Sequence, residues 1–249
     1  MPSHLSRFAW VAPLFACAAC DEQTSPVAPV PSASVQPAAP SAQAAPPEPP
    51  RAPEIIVDPT NVSVGLERVP AAEPALADRV GVLVTGRPAI AGQVVDFVAM
   101  RNARPSHVAA VASALRRAGA SGANVKTEAR DGTTVKLPLS FATSLADCAT
   151  VAWIAKDAAV DVWPVGGGTA KRIVKGMAGP DMTLGGEAIE RQARGCGASE
   201  LLVGADEHFS WGLVFDLATM AVTAPGARVR TAVLTTRAVP GRRWVVEPQ

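Results

Sequence analysis

The sequence predicts an α+β fold: two tandem two-layer domains, each a mixed sheet with two helices on one face, after a disordered N-terminal segment. Three observations predict it. Strand-like and helical patterns follow the same order in two successive stretches of about 90 residues. Each stretch supplies two amphipathic helices to one sheet, which is the composition of a two-layer sandwich. Residues 21–53 carry no such periodicity and are rich in Pro and Ala.

The first predicted domain spans residues 54–140. Runs of β-branched and other apolar residues indicate its strands, and apolar residues three or four positions apart indicate its helices. Gly86-Arg87-Pro88 and Gly119 end the two helices. The predicted elements are strands at Ile55–Val57, Val62–Val69, Gln93–Met100 and Asn124–Glu128, with helices beginning at Leu76 and at Pro105.

The second predicted domain spans residues 146–249 and repeats this order. Its predicted strands and helices are Thr150–Ala155, Ala158–Val165, a short run at Lys171–Lys175, a helix from Thr183, Leu201–Ala205, a helix capped by Ser210, and Arg228–Thr235. The spacing supports the correspondence, since 21 residues separate Val98 from Gly119 and 22 separate Val203 from Pro225. Whether the two halves form one continuous sheet stays open at this stage.

The first 20 residues read as a lipoprotein signal peptide. Arg7 provides the positively charged n-region, Phe8–Ala19 form the apolar h-region, and small residues precede a cysteine. The run is too short for a membrane-spanning helix, which needs about 20 residues. We expect lipid on Cys20, with Cys17 as the alternative and an unlipidated cleaved signal as the other reading. The expected location is a bacterial cell envelope, facing the periplasm, anchored to the inner or the outer membrane.

Residues 21–53 predict an extended tether. Ten of the 30 residues from Thr24 to Pro53 are Pro and eight are Ala, and such a stretch favours polyproline conformations. At about 3.1 Å per residue it reaches roughly 90 Å when fully extended. The formal net charge of the whole chain is +1, without basic stripes, so nothing indicates a nucleic-acid partner.

Cys148 and Cys196 are the only thiols outside the predicted signal. In an oxidising envelope, two remaining cysteines more often form a structural disulfide than an active site. Two buried thiols are the alternative. Outside the signal, the chain has no CxxC or HxxxH spacing, so no metal site and no cofactor are predicted.

Both halves contain a buried strand with small and acidic residues at its end, followed by a helix, a glycine stop and a further strand. The stretches that carry this pattern are Val95–Met100, His107–Gly119 and Val125–Glu128 in the first half, and Leu201–Asp206 with Trp211–Met220 in the second. In this pattern both halves resemble the periplasmic domain of the ExbD/TolR family of biopolymer-transport proteins.

This resemblance implies a binding role in the envelope, with a Ton- or Tol-type envelope protein or peptidoglycan as partner. The family also has an N-terminal membrane helix with a proton-carrying acid. Here the only comparable run, Phe8–Ala19, is short and has no acid, so that role transfers to no residue. The helix-opening aromatic of the family is present in the second half only, as Trp211.

One segment of the second half carries the candidate site residues. His208, Phe209 and Trp211 are the predicted partner contacts, because they join a buried strand to a helix. Asp206 and Glu207 beside His208 suggest an enzyme as the alternative, since an acid next to a histidine supports acid–base chemistry. A solvated helix-capping loop is the structural alternative.

No catalytic nucleophile is marked by a Gly-x-Ser-x-Gly elbow. The chain is therefore predicted to be non-catalytic, with a purely structural lipoprotein as a further alternative. Arg242-Arg243-Trp244 near the end of the chain combine residue types that stack on a sugar or pair with a carboxylate. The alternative for this segment is a C-terminal edge with a packed Trp.

Overall fold

A computed structural model describes residues 51–245. The predicted signal peptide, Cys17, Cys20 and nearly all of the predicted tether lie outside the described residues. Within them, no helix has the length and apolar character needed to cross a membrane.

The described residues form eleven strands and four helices. The first half contains β1 (Ile55–Val57), β2 (Asn61–Val64), β3 (Glu67–Pro70), α1 (Leu76–Val84), β4 (Val94–Ala99), α2 (Pro105–Arg117), β5 (Gly122–Glu128) and β6 (Thr134–Ser140). The second half contains β7 (Thr150–Ile154), β8 (Val160–Pro164), β9 (Lys171–Ile173), α3 (Met182–Arg194), β10 (Glu200–Ala205), α4 (Trp211–Thr223) and β11 (Thr231–Leu234).

All eleven strands belong to one mixed sheet, in the order β3-β2-β1-β4-β5-β6-β11-β10-β7-β8-β9. The predicted combination of helices with a mixed sheet is therefore confirmed. The question left open by the sequence is answered as well, because the sheet continues from one half into the other through β6 and β11.

The order of elements repeats in the structure. In each half an antiparallel three-stranded meander leads into a helix, a strand parallel to the first one, a second helix and a further parallel strand. The strand predicted over Val62–Val69 is two strands, because Gly65 at φ 63° turns the chain back between β2 and β3. Glycine adopts this left-handed conformation without steric cost.

The main core lies between the helices and one face of the sheet. On β7, Ala152 and Ile154 belong to this core, whereas Val151 and Trp153 point to the opposite face, as the two-residue period of a strand requires. In the second half the opposite face carries its own apolar cluster, which includes Trp163.

The equivalent face of the first half is polar and open. There Asp96 of β4 accepts hydrogen bonds from Asn124 and Lys136, at 2.7 and 3.0 Å, and lies 2.8 Å from the ammonium group of Lys126. These contacts, led by the one from Lys126, hold the pKa of the Asp96 carboxyl well below its usual range.

The two halves meet at β6 and at α4. Leu139 of β6 pairs with Ala232 of β11 in parallel register. At the start of α4, the buried indole Nε1 of Trp211 donates a hydrogen bond to Thr127 Oγ1 of β5, at 2.8 Å. This bond ties the second half to the first, because both groups are buried away from water.

An ion pair reinforces the same junction. Arg101, in the loop after β4, places its two terminal nitrogens 2.9 and 2.8 Å from the carboxylate oxygens of Asp216 on α4. Arg130 donates to the same carboxylate at 2.8 Å. The hydrogen bonds to Asp216 raise the pKa of Arg101, and this two-pronged contact joins α4 to the first half.

Candidate functional site

A crevice of about 370 Å³ lies where β6 and β11 end. We call it the seam crevice. Because β6 and β11 are parallel neighbours, their carboxyl ends lie at the same edge of the sheet. The chain leaves β6 for the second half and leaves β11 for the C-terminus, and the first residues of both connections line the crevice. Its lining residues are Ala77, Ser106, Ala109, Ala110, Ala112, Ser113, Arg116, Arg117, Leu139, Ser140, Phe141, Ala142, Val233–Arg237, Trp244 and Val245.

Helix α2 provides one wall of the seam crevice. Ser106, Ala109, Ala110 and Ser113 are separated by three or four residues, so they share one face of this helix. All four side chains are small. A Leu or Phe at any of these positions would fill space that the crevice now leaves open, because the volume of side chains sets the size of such a cleft.

The last described residues provide the opposite wall. Trp244 lines the crevice, and its backbone N–H donates to the Val165 carbonyl at 2.9 Å. The indole of Trp163 donates to the Arg242 carbonyl at 3.0 Å, and Arg243 pairs with Asp147 at 2.7 Å. These contacts hold the segment against the second half. Arg243 pairs with a carboxylate of the same chain, and Trp244 packs against the apolar cluster of the second half, as the alternative for this segment expected, while it also lines the crevice.

The charge of the crevice lining is positive. Three arginines line it, Arg116, Arg117 and Arg237, and none of the lining residues is acidic. Arg117 is positioned by Asp78, at 3.1 Å, and by the Ser113 hydroxyl, at 3.2 Å. Arg237 is exposed, and its guanidinium makes no ion pair with any residue between 51 and 245.

The predicted site at the start of α4 has a different geometry. His208 Nδ1 lies 2.5 Å from Asp206 Oδ1, and this hydrogen bond lowers the pKa of the Asp206 carboxyl. His208 and Glu207 are exposed, and Phe209 is half-buried against the core. None of these residues lines the seam crevice or the smaller cavity between α3 and the end of α4. The pair therefore lies on an open surface.

For Trp211, the structure corrects the prediction. We expected it to contact a partner, but its side chain is fully buried and its N–H group is already bonded to Thr127. The aromatic ring serves the junction between the halves. Sequence pattern did not reveal this, because the partner hydroxyl lies 84 positions away along the chain.

Cys148 and Cys196 form a disulfide in the structure, with an S–S distance of 2.00 Å and a Cα–Cα distance of 5.5 Å. It joins the segment before β7 to the loop between α3 and β10. Among residues 51–245 no group of three or more His, Cys, Asp or Glu side chains is placed to hold a metal ion.

Sequence reasoning missed the lining of the seam crevice. Arg117 and Arg237 lie 120 positions apart, and their segments come together only in the fold, where the two halves meet. One local signal was available, since Ser106 and Ser113 interrupt the apolar character of α2 seven residues apart. No family model matches the chain, and no curated protein or solved structure matches it.

Proposed function

We propose that this protein is a non-catalytic binding module of a bacterial cell envelope. Lipid on Cys20 anchors it, the 21–53 tether carries it away from the bilayer, and two tandem α+β domains similar to ExbD/TolR periplasmic domains bind the partner. The signal-like pattern of residues 1–20 and the Pro- and Ala-rich composition of the tether support the anchor. The repeated order of elements in residues 54–140 and 146–249 supports the tandem arrangement.

The seam crevice is the observation that carries the binding role. Its volume, about 370 Å³, lies within the range of ligand pockets, and charged, hydroxyl and aromatic side chains converge on it. The partner is a Ton- or Tol-type envelope protein or peptidoglycan, and it places a small part of its surface in the crevice.

The hydrogen bond between Asp206 and His208 favours one second candidate, a periplasmic enzyme with Asp206, Glu207 and His208 at its site. The open surface on which these groups lie weighs against it, because a catalytic pair works in a cleft that encloses its substrate.

The test is chemical crosslinking in intact cells that make the tagged protein, followed by affinity purification and mass spectrometry. The deciding variant is Ala109→Trp, which fills the crevice from α2. The matched control is Val82→Trp on α1, an exposed position that does not line the crevice. We expect that an envelope protein or peptidoglycan fragments are recovered with the wild type and with the control variant. With Ala109→Trp, this crosslinked partner should no longer be recovered. Recovery unchanged by Ala109→Trp contradicts the proposal.

A further inference from the structure

We infer that the seam crevice binds a short peptide by its carboxylate, with Arg117 and Arg237 as the anion contacts and Phe141 and Trp244 as the apolar wall. This inference rests on the proposed function and deepens it, because it names the chemistry that the partner offers to the crevice. Two sources carry such a group in an envelope: the peptides of the cell wall and the acidic segments of proteins.

The charge of the lining is the first argument. Three arginines and no acid line the crevice, and Asp78, which lies outside the lining, offsets the charge of Arg117, so the crevice favours an anion over a cation. The guanidinium group is planar and presents its N–H groups as a fork, which matches the two oxygens of a carboxylate. Arg117 already has its orientation fixed by Asp78 and Ser113, so part of the entropic cost of ordering it is met before a ligand arrives.

The position of Arg237 also favours an anionic ligand. It lies three residues after the end of β11, and its backbone N–H and carbonyl both bond to the hydroxyl of Thr235, at 3.3 and 2.7 Å. This small hydrogen-bonded turn fixes the backbone of Arg237, while its side chain has no ion-pair partner among the described residues. Because the backbone of Arg237 is held at the edge of the crevice, its charged side chain is suited to pair with an anion that enters the crevice.

The remaining lining supports a peptide over a bare inorganic anion. Phe141 and Trp244 are half-buried, so each offers apolar surface to a ligand. Ser140 and Thr236 add hydroxyl groups that donate to or accept from peptide groups. A simple ion uses neither feature.

The experiment is calorimetric titration of the full-length protein in detergent with the acetylated dipeptide Ac-Ala-Glu, which has two carboxylates. Its uncharged diamide is the matched ligand. We expect saturable binding of the dipeptide, weakening with added salt, and little binding of the diamide. Arg237→Gln should weaken binding about tenfold, because it removes one charge-assisted contact. Arg191→Gln is the control variant, at an exposed position on α3 outside the crevice.

Equal binding of dipeptide and diamide, or dipeptide binding unchanged by Arg237→Gln, overturns the inference. Inorganic phosphate that binds as tightly as the dipeptide overturns it too, because a general anion site needs no apolar wall. If the dipeptide does not bind but Ala109→Trp still abolishes crosslinking in cells, the inferred carboxylate recognition is wrong. The proposal that the protein is a binding module is then still supported. Where the dipeptide binds, titrations with soluble cell-wall peptides and with a linear acidic L-peptide distinguish the two sources.

Discussion

The disulfide between Cys148 and Cys196 gives a prediction whose magnitude follows from the structure. It closes a loop across 48 positions, which includes the meander of the second half and α3. Opening this loop releases conformational entropy only in the unfolded chain. For a loop of this length, the entropy that the disulfide removes from the unfolded chain corresponds to about 4 kcal/mol at 25 °C. Replacing both residues, Cys148→Ala with Cys196→Ala, should lower the free energy of unfolding by about this amount.

The assay is urea unfolding of a soluble form that begins at Asp21 and therefore has no other cysteine. Reduction of the wild-type protein should reproduce most of the loss, while the same reductant should leave the double variant unchanged. A loss below about 1 kcal/mol on removal of both cysteines would refute the reasoning, because the loop entropy would then not limit the unfolded state.

Three further predictions concern the sheet and the junction of the halves. Gly204→Ala should lower the free energy of unfolding, measured in urea, by about 3 kcal/mol. The new Cβ would overlap the backbone oxygen of Thr235 and would lie 2.8 Å from the ring of Trp153, the residue opposite Gly204 on β7. The control Gly197→Ala, with open space around it, should change stability by less than about 0.5 kcal/mol. Trp211→Phe should cost about 2 kcal/mol, since it leaves the buried Thr127 hydroxyl oxygen without its donor. Thr127→Val removes this bond and also the one that Thr127 donates to the Ala99 carbonyl, so the losses of the two single variants should add up to more than the loss of the double variant. The pKa of the Asp96 carboxyl is lower in the folded protein than in the unfolded chain. The contribution of Asp96 to the free energy of unfolding is therefore full at pH 7 and is lost as the pH falls below about 4. The urea midpoint of the wild type should therefore exceed that of Asp96→Asn at pH 7, with the difference shrinking on acidification; a constant difference would refute the assignment.

Local pattern predicted the helices best. The helices expected from Leu76 and Pro105 begin at those residues in the structure, and the predicted stop at Gly119 lies two residues after the end of α2. Here apolar spacing and breaking residues agree, and nothing in the tertiary structure overrides them. The last strand was overestimated, since β11 covers Thr231–Leu234 only; Arg228 precedes it as irregular chain.

Strand β6 was missed for a physical reason. Its apolar residues alternate, but Pro138 has no N–H to donate, and proline argues against a central strand. In the structure β6 is central nonetheless, fully paired with β5 and joined to β11 at Leu139 alone. Because the seam crevice lies where this limited pairing ends, the same exception hid the candidate site from sequence reasoning.

The continuity of the sheet and the cationic lining of the crevice were also beyond local pattern. Both depend on pairing between β6 and β11, whose partners lie 93 positions apart at Leu139 and Ala232. Sequence periodicity assigns a residue to an element and a face, and it does not say which edge strands meet. The disulfide was easier to predict, because two cysteines outside the predicted signal leave one possible pairing.

Site-specific photocrosslinking in intact cells can show whether the seam crevice receives the partner. A photoreactive amino acid replaces Thr236, an exposed residue that lines the crevice, or Glu187, an exposed residue on α3 outside it. We expect a crosslinked envelope protein or peptidoglycan fragment from position 236 and none from position 187. Equal crosslinking from both positions, or none from position 236, would contradict the claim that the seam crevice receives the partner.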